Sequence, residues 1–522
     1  MSPKAMSFLA RINAMRPIHL AALALTLFAC TTPDEPAPIA PPIPLPPAEA
    51  APLTTEQTLA LNITPIKADL STDPREPAIL KQLLADGYGD YTLAAGKPML
   101  PRTLDGSAPP APGPAPKLLT RFFHLADTQL ADDESPARLC GFDGPDQLAG
   151  PFRAQEGHEC LILNAAVRTM NAVHKNSPVE MVLLGGDNID NAQENELDWF
   201  QKIMNGGEIV SCDSGANDDP IPGPNNDQKD AFAPVGLDIP WYWVTGNHDA
   251  LVQGTFVVSD GQRERAIGEF AVGGTRDYRL PGAPVQKTDV PKDATRALMD
   301  HNDLVKNLAK YKTNGIDETS LTSAKAQYTF DSKDGSIRFI IFDSTSPFGS
   351  SEGLVRKTDL DTFLEPALAK AEAEGKWVIL VSHHSSRMLT DGGQAGGTAQ
   401  MDAILPDPFR AIIASHKNVL AHLAGHTHLH RITTITAAPG AYWEIETSAL
   451  ADYPHQIRLL EIWDNDNGYL TLRSKTVDYT TENDPLAEEG RKISNADYTS
   501  GWGQNSPANN LDWNTELFVK KQ

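Results

Sequence analysis

Val179-Glu180-Met181-Val182-Leu183-Leu184-Gly185-Gly186-Asp187-Asn188-Ile189-Asp190 is the stretch from which the fold of this chain can be read. Residues 179–184 form a short apolar run typical of a buried strand; two glycines make a turn at its end, and two carboxylates follow. The arrangement recurs four times. Residues 118–125 lead into Asp127-Thr128-Gln129 and residues 239–244 into Gly246-Asn247-His248-Asp249. Residues 377–381 lead into His383-His384, and residues 418–424 into Gly425-His426-Thr427-His428. A further strand is expected at 337–342, and helical apolar spacing at 160–175 and 359–374 falls between strands. Such alternation predicts an α/β fold. Open α/β sheets build their sites beyond the carboxyl ends of the strands, which is where all five stretches lie.

These stretches offer carboxylates, amide oxygens and imidazoles enough for two divalent metals side by side. A carboxylate shared by two cations offsets their repulsion, and Asp187, behind a glycine that permits a tight turn, is the natural bridge. Asp127, Gln129 and His428 complete one metal; Asn247, His383 and His426 complete the other. Mixed oxygen and nitrogen ligation without thiolate suits Mn²⁺, Fe or Zn²⁺ in a catalytic rather than a structural role. Two cations about 3.5–4 Å apart lower the pKa of a bridging water and clamp the oxygens of a phosphoryl group during in-line attack.

The order Asp-x-(His), Gly-Asp-x-x-Asp, Gly-Asn-His-Asp, His, Gly-His-x-His resembles the calcineurin-like metallophosphoesterase superfamily over residues 122–430. The resemblance implies a four-layer α/β/β/α sandwich and hydrolysis of phosphomonoesters, diesters or pyrophosphates by a metal-bridging hydroxide. By position it makes Asp187 the bridge and Asn247 an amide-oxygen ligand. His248 becomes the acid at the leaving oxygen, with Asp190 orienting its imidazole, a sensible pairing because a carboxylate fixes the tautomer and raises the basicity. Two departures stand out. Gln129 occupies a position where the family usually has His; a neutral amide oxygen donates less charge and favours Mn²⁺ over Fe³⁺. A similar Asp-x-Gln occurs in the branch resembling Mn²⁺-dependent ADP-ribose/CDP-alcohol diphosphatases. Asn191 stands where members resembling protein phosphatases carry Arg, which argues for a diester or pyrophosphate of a small molecule. The alternative from a different class is a metal-binding envelope protein whose catalysis has decayed.

Other single residues divide as follows. Of the adjacent pair, His383 is favoured as ligand and His384 faces the substrate. His124 is structural. His430 alternates onto the face of His428 and is either close to the substrate or exposed. Arg458 either reaches a phosphate or, more commonly for a strand arginine, lies at the surface.

The formal charge of −24 over 522 residues argues against nucleic acid as a partner, since phosphate backbones need clustered Lys and Arg. Arg11 and Arg16 precede an apolar run at 20–29 that suits a signal peptide. The run ends in Leu27-Phe28-Ala29-Cys30, which is similar to a lipobox and implies a lipid anchor on Cys30. Thr31 after that cysteine favours the outer membrane over other exported, periplasmic destinations in a Gram-negative bacterium. Residues 31–53 are a Pro/Ala-rich tether, 54–116 an N-terminal arm with a helix near 76–84, and 117–480 the main domain. That domain carries insertions near 205–236 and 251–326, the second with a helix near 294–311; either insertion forms a wall of the pocket or is peripheral. Residues 431–477 look all-β, with Asn467-Gly468 as a hairpin turn rather than a calcium loop. Residues 481–522 are a polar tail. Cys140 and Cys160 are the expected disulfide, being close in sequence.

Overall fold

The computed structural model describes residues 42, 44–49, 51–140, 153–286, 289–503 and 511–521. The signal segment, Cys30 and residues 31–41 of the tether lie outside the described residues. Among the described residues no helix is long and apolar enough to cross a membrane.

In chain order the strands of the two main sheets are β1 (Leu100–Thr103), β2 (Lys117–Leu125), β3 (Met181–Leu184), β4 (Trp241–Tyr242), β5 (Tyr328–Asp331), β6 (Ile337–Ile341) and β7 (Trp377–Val381). They continue as β8 (Val419–Ala424), β9 (Arg431–Ala437), β10 (Gly440–Glu446), β11 (Gln456–Asp464), β12 (Tyr469–Asp478) and β13 (Thr515–Lys520). One sheet has the order β1-β13-β12-β11-β2-β3-β4 and the other β9-β10-β8-β7-β6-β5. Within the first, β2, β3 and β4 run parallel; within the second, β6, β7, β8 and β10 do.

Side-chain alternation turns these sheets into four layers. On β3, Met181 and Leu183 enter the core between the sheets, whereas Val182 and Leu184 enter the core under helices α1 (Glu159–Asn176) and α2 (Glu194–Asn205). On β7, Ile379 and Val381 face the other sheet, while Val378 and Leu380 pack under α3 (Glu365–Ala373) and α4 (Pro406–Ser415). Strands covered on both faces read as continuous apolar runs, which is why the sequence displays them so plainly. The order is therefore helices, sheet, sheet, helices, as expected for a metallophosphoesterase-type α/β sandwich. Phe122 of β2 meets Phe339 of β6 edge to face, ring centroids 5.2 Å apart. Such a contact adds about 0.5–1.5 kcal/mol beyond the area it buries.

Several expectations change. The region 481–522 is no tail: it forms α5 (Pro485–Thr499) and then β13, which pairs with β12 on one side and β1 on the other. Leu517 and Val519 thereby join the core between the sheets. The arm likewise ends as a sheet edge, with its helix at Pro77–Ala85. The disulfide joins Cys160 to Cys212, 52 residues apart, instead of Cys140 to Cys160. Cys160 opens α1 and packs in one core cluster with Val210 and Phe232, residues that bridge across the 205–236 insertion and bring Cys212 to the helix. Nearness in space here overrides nearness in sequence. The 431–477 region is all-β, and β11 and β12 pair through the expected hairpin, but β9 and β10 belong to the opposite sheet. In the second insertion a short 3₁₀ turn at Ala294–Arg296 precedes a helix at His301–Lys310.

Candidate metal centre

The carboxyl ends of β2, β3 and β4 from one sheet meet those of β7 and β8 from the other, and the turns that leave them carry the predicted ligands. These turns are sharp. Asp127, Gln129, Asp187, His426 and His428 all adopt left-handed backbone, with φ of 52°, 40°, 52°, 67° and 55°. Such residues are held against a local cost and cluster at functional sites. Cross-bonding fixes them: Asp127 N–H donates to Gly186 O and Gln129 N–H to Asp187 O, each at 3.0 Å. Gly186, at φ +87°, has no alternative, because a Cβ there would stand 2.5 Å from His383 Nδ1.

The ligand atoms of Asp127, Asp187 and His383 all lie within 4.8 Å of one another, and those of His383, His384 and His426 form a second such group. His383 donates from Nδ1 to Gly185 O at 2.7 Å, so its Nε2 faces inward, 3.1 Å from both Asp187 Oδ2 and Asn247 Oδ1. Asn247 donates its amide N–H to Gly254 O at 3.0 Å, which turns its oxygen toward the cluster. His428 donates from Nδ1 to Asp452 Oδ2 and places Nε2 3.3 Å from Asp127 Oδ1. An imidazole tied to an oxygen at one nitrogen and presenting the other is the usual arrangement of a metal-ligating histidine. His426 lies in the same group, with its backbone N–H on Asp127 at 3.1 Å and its Nδ1 buried without a partner. Gln129 is buried on the same turn, and its Oε1 accepts a hydrogen bond from Arg153 Nη2. That contact takes one of the two lone pairs of the amide oxygen.

His384 is engaged at both ring nitrogens, with Ser344 Oγ at 2.9 Å and Ser351 O at 3.0 Å, so it is held in the wall. His430 is buried among Ser448, Gln456 and Arg458. Arg458 itself is wholly buried rather than at the surface, bonded to Thr447, Ser474 and the backbone of Glu446 and Asp512. His124 is structural, bonded to Thr447 Oγ1.

The electrostatics match this geometry. Burial works against charge on both His383 and His428. Asp187 and then Asp127 nevertheless raise His383 to about 9, and Asp127 with Asp452 raises His428 to about 10. Burial also opposes ionisation of Asp187, yet His383 and His248 hold it below the usual carboxylate range. His384 goes the other way, pushed down to about 3 by burial and by His383. The buried acids thus call for positive charge at the cluster, and imidazolium supplies it where divalent cations would displace protons. Oxygen and imidazole donors, inward Nε2 atoms and the unpartnered His426 Nδ1 fit such cations.

His248 stands at the edge of the cluster with its backbone N–H on Asp187 Oδ1 at 2.8 Å. Its orienting partner differs from expectation. Nδ1 donates to the backbone carbonyl of Asp190 at 2.6 Å, while the Asp190 carboxylate stays 3.6 Å away. The reason is Arg138, whose Nε draws Asp190 Oδ2 to 3.2 Å. Asn191 serves the loop, accepting at Oδ1 from Gln253 N–H at 2.8 Å. The 251–326 insertion therefore reaches the site, at Gly254. The 205–236 insertion packs on the turn after β2 instead, through Ser214 on Asp132 and Lys229 on Asp133.

Sequence reasoning missed four residues. Asp249 accepts from the backbone N–H groups of Asn188, Ile189 and Gly246 and so locks the turns after β3 and β4 together; it lay within a quoted stretch without a role. Asp452 follows the carboxyl end of β10, so the strand-end logic that found the others applies to it. Arg138 and Arg153 carry no sequence signal.

The family model for calcineurin-like phosphoesterases matches residues 120–430. No curated protein matches the chain in sequence. Among solved structures, a dimetal phosphatase from Danio rerio is similar at 14% identity, covering 70% of this chain and 100% of that one with a TM-score of 0.37. A purple acid phosphatase from yellow lupin (Lupinus luteus) seeds is similar at 14% identity, over 70% of this chain and 52% of that one, with a TM-score of 0.33. The matched segment spans more than half of the chain and all five turns that carry the candidate ligands, so this protein belongs to the calcineurin-like phosphoesterase family and is a metal-dependent phosphoester hydrolase.

Proposed function

We propose that this chain hydrolyses a phosphodiester or pyrophosphate bond, or a phosphomonoester, of a small molecule. The observation that carries this is the convergence of Asp127, Asp187 and His383 within 4.8 Å beside Asn247 Oδ1, with His248 at the rim. Asp127, Gln129, Asp187 and His428 would hold one divalent cation, and Asp187, Asn247, His383 and His426 the other. When bound, such a pair supplies Lewis acidity and an activated nucleophile at neutral pH. The chain's own groups do the rest. The Asp190 carbonyl can only accept, so His248 keeps its Nδ1 proton throughout; as imidazolium it carries a second proton on Nε2, and giving that one to the leaving oxygen leaves the neutral imidazole. Its side chain is 11% exposed. Asp249 and the crossed turns hold the ligands in place before substrate arrives, which saves reorganisation during the reaction.

Mn²⁺ suits two neutral amide oxygens better than Fe³⁺ does; Zn²⁺ and Fe are the alternatives that metal analysis of the purified protein separates. The charge of −24 supports a small phosphorylated substrate over nucleic acid. Export with lipid attachment at Cys30 completes the proposal, and the Cys160–Cys212 disulfide supports an oxidising compartment. Turnover of bis-p-nitrophenyl phosphate and p-nitrophenyl phosphate with Mn²⁺ tests the activity. Metal bound tightly with neither ester turned over would favour the decayed-scaffold reading. A Cys30→Ala protein that stays in the membrane fraction would remove the anchor from the proposal.

A further inference from the structure

Arg153 is 4% exposed and stands between the two ends of the site. Its Nε donates to Asp452 Oδ1 at 2.8 Å, the carboxylate that holds His428, and its Nη2 donates to Gln129 Oε1. Its Nη1 is buried and makes no hydrogen bond. The carboxylate oxygen it faces is Asp190 Oδ1, 3.8 Å away, which is also buried without a hydrogen-bond partner and lies 3.6 Å from His248 Nδ1. A donor and an acceptor thus face each other across a gap too wide for a bond, beside the imidazole assigned to the leaving group. An unmet guanidinium N–H in such a place is costly unless something fills it. Two of the three nitrogens are pinned, so the fork is already oriented, and a guanidinium matches phosphate oxygens in geometry as well as charge.

We propose that Arg153 is a substrate-binding residue whose Nη1 donates to a non-bridging phosphoryl oxygen of the substrate. This deepens the phosphoesterase proposal and depends on it. Gln129 then has a second task beside ligation, since its Oε1 holds the guanidinium that holds the phosphate.

The test compares the Mn²⁺-loaded full-length protein with Arg153→Gln and Arg153→Lys. The dissociation constant of inorganic phosphate is measured by calorimetry, KM with the aryl phosphate that wild type turns over, and manganese content by mass spectrometry. Loss of one charged hydrogen bond predicts a rise of about 10- to 100-fold in both constants for Arg153→Gln, with kcat changed less and manganese content kept. Arg153→Lys, which keeps the charge and loses the fork, recovers part of the phosphate binding. Unchanged phosphate binding and KM in Arg153→Gln would overturn the inference. So would a loss of manganese in both variants, which marks a role only in holding Gln129 and Asp452. Should the Gln variant not fold, wild-type phosphate binding by Arg153→Lys overturns it alone. Wild type that turns over no phosphoester brings down the phosphoesterase proposal itself, a result separate from any of these.

Discussion

Gly254→Ala presses on the proposed acid, His248, and on the amide nitrogen of Asn247 beside it. Gly254 lies in the second insertion at φ +59°, and a Cβ built there stands 2.4 Å from His248 Cδ2 and Nε2 and 2.5 Å from Asn247 Nδ2. Ordinary carbon contacts begin near ~3.5 Å, so the imidazole must retreat by about 1 Å. Left-handed alanine costs about 1–2 kcal/mol of stability, which a chain with this much core tolerates. The functional effect is larger than the structural one: a catalytic group misplaced by ~1 Å loses on the order of 10²-fold in rate. The expected outcome is kcat down by about that factor and a denaturation midpoint only slightly lowered, with metal content measured alongside because the Asn247 amide is crowded as well. Gly261→Ala in the same insertion is the control, since a Cβ there meets nothing within 4 Å. Steady-state kinetics on the aryl phosphate, with urea titrations of both variants, read the two effects separately. Wild-type kcat in Gly254→Ala would refute the placement of His248 in the rate-determining step.

Three further outcomes follow from the same geometry. His248→Asn keeps a donor near the Nδ1 position and removes Nε2, so kcat falls about 10²–10⁴-fold with metal content unchanged; a metal loss by mass spectrometry would make His248 a ligand instead. Chelation abolishes activity and lowers stability, by about 2.7 kcal/mol for each site that free metal had filled at 100 times its dissociation constant, and Mn²⁺ restores both; thermal melts with and without chelator measure it. Cys212→Ser opens a loop closed across 52 residues, which costs up to about 4 kcal/mol of stability, while native-state turnover persists because the 205–236 insertion does not reach the ligands.

The cluster of candidate ligands was legible because each member lies just beyond a strand covered on both faces. Such a strand advertises itself as an apolar run, and the next few residues must turn at the sheet edge. Residues that support the site through distant packing were not legible. Arg153 meets Asp452 across 299 positions and Arg138 meets Asp190 across 52, distances over which sequence order carries no geometry. The contact between Asp190 and His248 differs from expectation for the same reason. The Asp190 backbone does the orienting that its carboxylate was expected to do, and the diverting arginine is local only in the folded chain. β13 escaped notice because Leu517-Phe518-Val519 is only three residues long between charges, and its strand character comes from the two partners that flank it. The disulfide was misassigned by sequence proximity, whereas the pairing is set by how the insertion folds back onto α1.

The left-handed turns bear on whether the site is still in use. Asp127, Gln129, Asp187, His426 and His428 each adopt a conformation that glycine or asparagine would take more readily. In a scaffold retained only for shape, substitution at any of them would relieve backbone strain, and at Asp127 or Asp187 it would also remove a buried carboxylate. The chain instead has non-glycine side chains at all five, crosses the Asp127 and Asp187 turns with backbone hydrogen bonds and gives His428 a second partner in Asp452; the neighbouring His383 and Asn247 have theirs in Gly185 O and Gly254 O. Those partners act on the direction in which each donor atom points, which stability of the fold does not require. Strain held at the candidate ligands together with supports that aim them supports the proposal of a working metal site. It weighs against the decayed-scaffold alternative more heavily than Gln129 weighs for it, because the Gln129 amide oxygen is itself held in place by Arg153.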